Sequence, residues 1–292
     1  MRDSGAYLLI TAVHEALKIL PIDACSGFGA FMAKNASRRY AELDARAREN
    51  LKQIRPEQSD PASIDATMSR LWRSVARTRA ELSVLDRLWR AGRIAVEGPE
   101  YMDAARAAGR PILGVVLHLG NWEAMGVACL AIGYPVAAVY VPDENRFTEQ
   151  FRARMQKRYG AILIPPGPGA MRAAVRTLNQ KTGQFGIFID EVFGGRQSAP
   201  AFGRPLRADG NIAFAARLAW LTNAEVIPAY CLRVDDQARF KMIFCPPVEL
   251  VRDGDRDLAL LTNISRINAV VEAIVHPHLD QWGSLFYRPV DA

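Results

Sequence analysis

The sequence predicts an α/β protein: a mixed, largely parallel sheet flanked by helices, with a helical layer at its N-terminal side. Two observations carry that reading. From Arg93 onward short apolar runs alternate with segments of helical period, as in a succession of βα units. Before Arg93 apolar residues recur only at helical spacing. The expected strands are residues 94–96, 112–117, 136–141, 161–164, 185–189, 224–232 and 240–244. Between and after them helices are expected at 101–108, 121–132, 147–159, 171–179, 211–221 and 257–275. In the N-terminal layer the helical patterns run over 38–54 and 62–89, parted by a proline-bounded turn from Pro56 to Pro61.

Composition bounds the rest. The chain has 292 residues, 50% hydrophobic and 23% charged, which suffices for a large core and excludes intrinsic disorder. Cys25, Cys129, Cys231 and Cys245 show no C-x-x-C spacing, so structural zinc and dithiol redox chemistry are not expected; with no secretory cleavage signal in view, a reducing compartment is. No metal ligand set and no cofactor-binding fingerprint stands out. Gly194-Gly195 and the pair Gly167 and Gly169 read as turns rather than phosphate cradles.

The net charge of +6 is local. Between Lys34 and Arg93 fourteen Lys and Arg stand against eight Asp and Glu, including Arg38, Arg39 and the helically spaced Arg70, Arg73 and Arg77. A solvated helix face is the plain explanation. Attraction to an anionic membrane surface is the sharper one, because each cation near such a leaflet contributes about 1 kcal/mol. Nucleic acid is not expected as a partner, since no recognised motif or interleaved aromatic pattern accompanies the charge.

The N-terminus points toward the membrane. In residues 7–20, Thr11, His14, Glu15 and Lys18 gather on one side of a helix and leave Leu8, Leu9, Ile10, Val13, Ala16, Leu17, Ile19 and Leu20 as a broad apolar face. At about 1.5 Å per residue this helix falls short of the roughly 30 Å hydrocarbon core. Lying in the interface suits it, and docking on the protein's own core is the alternative. The expected division is a membrane-associating segment, 1–36, followed by one domain, 37–292, with its helical layer at 37–92 and its α/β core at 93–292.

The chemistry gathers at His118-Leu119-Gly120-Asn121-Trp122-Glu123. A strand ending in histidine, turning on glycine and entering a helix with a carboxylate one turn later puts an imidazole and an acid on a rigid frame. Open α/β sheets present functional loops at that end of their strands. His118 is the expected general base and Glu123 the group that fixes its tautomer. Gly120 permits the turn and Asn121 can cap the helix. A core histidine with a first-turn carboxylate facing the helix dipole is the bland reading. No G-x-S-x-G elbow occurs, and no cysteine lies beside a histidine, so the nucleophile is expected to be the substrate's own hydroxyl.

These residues resemble the late acyltransferases of lipid A biosynthesis, the lauroyl and myristoyl transferase family within the H-x4-D/E acyltransferases. Gly109-Arg110-Pro111-Ile112-Leu113 leading into the histidine motif carries the resemblance, which extends from about Asn50-Leu51 to the C-terminal region. It implies transfer of an acyl chain from acyl carrier protein or coenzyme A to a hydroxyl of a membrane glycolipid at the cytoplasmic face of the inner membrane.

The resemblance also implies site residues. Arg152, Arg154 and Arg158 resemble the family's arginine-rich helix, with Arg154 matching its functional arginine. Asp190 and Glu191 follow a strand, and Phe202-Gly203-Arg204-Pro205 resembles its F-G turn. With Gly120, Asn121 and Trp122, the residues Arg154, Arg158, Asp190, Glu191, Phe202 and Gly203 form the expected substrate-binding set. The chain departs from the family at Tyr140-Val141-Pro142, at Glu191, and at Trp282-Gly283-Ser284-Leu285-Phe286-Tyr287-Arg288. Two further readings keep the fold: a thioesterase or an acyltransferase acting on another polar lipid, and an inactive lipid-binding protein.

Overall fold

The computed structural model describes residues 2–139, 162–180, 183–193 and 195–289. In chain order the strands are β1 (Ile94–Glu97), β2 (Ile112–Val116), β3 (Ala137–Val139), β4 (Ile162–Ile164), β5 (Gln184–Phe188), β6 (Val192–Phe193), β7 (Arg196–Gln197), β8 (Glu225–Arg233) and β9 (Phe240–Phe244). Seven of them form one sheet in the order β1-β9-β8-β2-β5-β3-β4. All neighbours in it are parallel except β8 and β9. The fold is therefore mixed α/β with a mostly parallel sheet, as expected. The small antiparallel pair β6 and β7 was not foreseen, because two residues are too few to show a period.

Side-chain alternation assigns the two faces of the sheet. Leu113, Val115 and Leu117 join one core with Phe185, Ile187 and Ile189 of the neighbouring β5 segment. Ile112 joins the opposite core with Ile227, Ala229 and Cys231 of β8. Buried on both faces, these strands are near-continuous apolar runs, as a parallel sheet requires.

The helices α1 (Arg2–Ile19), α2 (Ile22–Met32), α3 (Ala36–Arg39), α4 (Ala41–Ile54), α5 (Pro61–Glu81) and α6 (Leu85–Arg90) precede the sheet. Within it come α7 (Pro99–Ala107), α8 (Glu123–Ala131), α9 (Ala170–Leu178) and α10 (Gly210–Thr222), and α11 (Arg256–Val275) follows. Both long N-terminal patterns prove to be broken. The first stops at Tyr40, with φ −121; the second breaks after Glu81, and the turn swings Leu85 and Leu88 into the core, both 0% exposed. The start of α5 follows local rules, with Pro61 in its first turn and the Asp60 carboxylate accepting from the Ser63 N–H at 2.9 Å. The helix expected at 147–159 lies outside the described residues.

Among the described residues, one helical stretch, Arg256–Gln281, is long and apolar enough to cross a membrane. Ile264, Ile267, Val271 and Val275 on it are 0% exposed and share a core with Ile212 and Ala216 of α10. That packing is what a core helix shows.

At the N-terminus the edge of the polar face of α1 turns inward. His14 is buried and shares a hydrogen bond with Ser83 Oγ at 2.6 Å, and Leu17 is buried beside it. Arg87 donates to the Lys18 and Leu20 carbonyls at 2.8 and 2.7 Å, closing the end of α1. The apolar Val13 and Ile19 face outward, with Ile19 85% exposed. A polar edge thus does the docking, with Ser83 meeting the buried imidazole at Nδ1, and apolar surface remains outside.

Helix α2 then lies backbone-to-backbone on α5. A Cβ on Gly29 would stand 2.5 Å from the Ala76 carbonyl oxygen, an approach that only glycine permits.

Candidate active site

Sheet register builds the site. Val116 of β2 pairs with Phe188 of β5, so His118 and Asp190, each two residues further on, leave the sheet side by side. Strand parity puts both side chains on the same face. The Asp190 carboxylate receives the His118 ring Nδ1–H at 2.8 Å and the His118 backbone N–H at 2.9 Å. Trp282 Nε1–H donates to it at 2.7 Å and Ser284 Oγ–H at 3.2 Å. Asp190 is 0% exposed, and these donors are what make its burial tolerable.

The ring itself stacks on Phe188, centroids 4.1 Å apart, with Trp122 edge-on at 5.3 Å. Its side chain remains 19% exposed, and Glu191 Oε2 lies 3.8 Å from Nε2. The arrangement anchors Nδ1 in the protein and leaves Nε2 on the side of the half-exposed Glu191. Ser284 is on the anchored side, 3.4 Å from Nδ1, so it is not placed as a nucleophile for Nε2 to activate.

The electrostatics follow the geometry. Burial pulls the His118 pKa down, but the Asp190 charge and hydrogen bond, helped by Glu191 and Glu123, outweigh it and hold the value above the ordinary 6.5. Burial likewise pushes Asp190 up, and the charge and hydrogen bonds of His118 and the Trp282 N–H overcome it, so Asp190 lies below 3.8. The cysteines offer no competing nucleophile. Burial raises Cys129 and Cys231 to about 12 and, as the leading cause, Cys25 and Cys245 to about 11, which keeps them as thiols near neutrality.

The turn after His118 is fixed from three directions. Gly120 has φ +53, and a Cβ there would meet the Cys231 carbonyl oxygen at 2.3 Å. Its N–H donates to the Gln281 carbonyl at 3.0 Å, and its carbonyl accepts from Thr78 Oγ1 at 2.9 Å. Asn121, 0% exposed, donates from Nδ2 to Glu81 Oε2 at 2.8 Å and accepts the Ala124 N–H at 3.2 Å. Glu81 is itself buried and is gripped by Arg233 at 2.8 and 2.7 Å and by Ser26 Oγ at 2.6 Å.

Several expectations change in this light. The carboxylate hydrogen-bonded to Nδ1 is Asp190, a residue expected at the substrate. Glu123 sits in the first turn of α8 and acts on the ring through its charge. The physical reason is register, which sets Asp190 beside the ring across the sheet. Asn121 and Gly120 hold the loop together, because both ends of the Asn121 amide are engaged in the interior. Phe202, with φ +49, reaches the site through Trp282, its ring 5.7 Å away, and its N–H donates to Glu272 at 2.5 Å. Gly203, φ +84, continues that turn.

Arg152, Arg154 and Arg158 lie outside the described residues. The direct ligands Trp282 and Ser284 and the supports Glu81, Arg233 and Gln281 were not anticipated as site residues. Glu81 left one trace in the sequence: it falls in phase with Leu71, Ser74 and Thr78 on the inward face of α5. Among the described residues no group of three or more His, Cys, Asp or Glu is placed to hold a metal ion.

Comparison with known proteins adds one match. A family model described as bacterial lipid A biosynthesis acyltransferase matches residues 2–288. No curated protein matches the chain significantly.

Proposed function

Because the chain belongs to the bacterial lipid A biosynthesis acyltransferase family, it is an acyltransferase, and we propose that it moves a fatty acyl chain from the thioester of acyl carrier protein or coenzyme A to a hydroxyl of a lipid A precursor. His118 Nε2 accepts the hydroxyl proton as the acceptor oxygen attacks the thioester carbonyl. The tetrahedral intermediate collapses, the C–S bond breaks, and the imidazolium returns its proton to the departing thiolate. Asp190 keeps the proton on Nδ1 and balances the positive charge that forms on the ring, while Glu123 and Glu191 add negative potential. Arg154 is the proposed oxyanion or acceptor-phosphate contact, and Arg158 a further substrate-binding residue. One observation carries the reading: the ring is tied at Nδ1 to a buried carboxylate while its other nitrogen lies 3.8 Å from Glu191, whose side chain is 43% exposed.

A membrane setting is supported by the outer face of the N-terminal helices. Ile19, Phe31 and Met32 are 85%, 62% and 51% exposed, and Lys34, Arg38 and Arg39 follow directly. Apolar groups beside cations suit the interface of an anionic leaflet, the cytoplasmic side of the inner membrane in this proposal.

The test is reconstitution of the full chain in mixed micelles with acyl carrier protein thioester, with and without lipid A precursor. Acylated glycolipid that depends on both substrates and disappears in His118→Ala is the expected product. Free fatty acid released without acceptor would replace the reading with a thioesterase, and lipid binding without turnover by any donor would replace it with a binding protein.

A further inference from the structure

We propose that a cavity of about 710 Å³ between α2, α4 and α5, separate from the histidine site, binds the phosphate group of a membrane lipid. Its cationic lining is Lys34, Arg48, Arg73 and Arg77, with Phe31 and Trp72 as apolar lining. Three carboxylates also line it: Asp44 and Asp65 both bind Arg48, Asp44 also accepts the Trp72 indole N–H at 2.6 Å, and Asp236 lies 3.8 Å from Arg77.

The decisive feature is an unbalanced interior charge. Arg77 and Arg233 are each 9% exposed, and the carboxylate they face, Glu81, is 0% exposed. Arg233 takes both Glu81 oxygens, at 2.8 and 2.7 Å. Arg77 is left with Ser26 Oγ at 2.9 Å and, at 3.8 Å, Asp236, whose side chain is 86% exposed. Its Nε has no hydrogen-bond partner. Burial and the neighbouring Arg233 charge hold the Arg77 pKa below its usual value, so a second anion would relieve a real strain on the charged form. Guanidinium forks match phosphate oxygens in both spacing and charge.

The rim identifies the carrier. Phe31 lines the cavity, Met32 follows it on α2, and both are exposed, on the face proposed above to meet the bilayer. A lipid with its chains in the membrane would bring its phosphate to this opening. The site rests on the membrane-lipid reading of the function, but its test uses no acyl transfer, so the two can fail separately.

The full chain is titrated calorimetrically with dihexanoylphosphatidic acid below its micelle concentration, with dihexanoylglycerol, and with inorganic phosphate. Saturable binding of the phosphatidic acid is expected, weakened at least about tenfold in Lys34→Ala/Arg73→Ala. Both replaced side chains are exposed, so the fold should persist, and His118→Ala should bind as the wild type does. Equal binding of dihexanoylglycerol, or no effect of the double substitution, would overturn the phosphate site. Inorganic phosphate binding as tightly as the lipid would overturn the lipid as its source, and loss of binding in His118→Ala would move the lipid to the catalytic centre.

Discussion

Replacing Asp190 by Asn should disable the histidine while leaving its position intact. Three donors, the His118 backbone N–H, Trp282 Nε1–H and Ser284 Oγ–H, converge on one carboxylate oxygen, Oδ2. An asparagine must put its carbonyl oxygen there, which turns its NH₂ toward His118 Nδ1. The ring then has to accept at Nδ1 and carry its proton on Nε2, where it can no longer take one from a hydroxyl. The loss is that of general-base catalysis, about 10²- to 10⁴-fold, or about 3–5 kcal/mol of barrier. The pH profile should change as well. In the wild type the rate climbs as pH rises through the elevated His118 pKa; Asp190→Asn removes the main raising influences and keeps the burial that lowers it, so any residual activity should have its limb below 6.5. Transfer from an acyl thioester to a lipid acceptor, measured across pH with the melting temperature as a folding control, is the assay. A folded Asp190→Asn enzyme that keeps more than a tenth of wild-type turnover would refute the role of Asp190.

Further outcomes follow from the same geometry. The difference in melting temperature between wild type and Asp190→Asn should be largest from above 3.8 to about 6.5. Asp190 has a lowered pKa, so its contribution is lost as pH falls through the folded value; His118 has a raised one, so its contribution is lost as pH rises through it. A flat difference across pH would contradict the ion pair. Glu81→Leu should cost about 3–5 kcal/mol in urea unfolding, since it strands Arg233 in the interior and removes the acceptor of Ser26 and Asn121; a change under about 1 kcal/mol would count against the buried network. Gly120→Ala forces a Cβ to within 2.3 Å of the Cys231 carbonyl and should cut turnover by about 10²-fold through displacement of the loop, which steady-state kinetics would show. Glu123→Gln should lower the pH limb less than Asp190→Asn does, because Glu123 is the smaller influence on the ring; the reverse order would make Glu123 the principal partner.

Local patterns showed through the sequence and distant pairings did not. The strand before His118 was legible because burial on both faces demands an unbroken apolar run, and β9 was legible with the bounds it has in the structure. The breaks at Tyr40 and after Glu81 were hidden, since helical period continues through a turn whenever both sides face one core. His118 could be recognised from its motif. Its partner could not, because Asp190 reaches it through the β2–β5 register, and a strand's neighbour is set by crossover topology. Glu123 is near in sequence, and local spacing therefore points to it. Trp282 and Ser284 arrive from the far end of the chain, and their donation to Asp190 depends on how the last turns pack over β2. Glu81 shows the same limit: a charge on an inward helix face marks a buried partner without saying that the partners are Arg233 and Asn121.

His118 is held as a base, protonated on Nδ1 when neutral and raised in pKa by Asp190. Nitrogen-15 NMR of the protein labelled in its histidine rings, titrated through neutrality and assigned with His118→Ala, reads both properties directly. A neutral ring with its hydrogen on Nδ1 and a titration midpoint above 6.5 are expected. A neutral ring protonated on Nε2, or a midpoint below that value, would contradict that expectation.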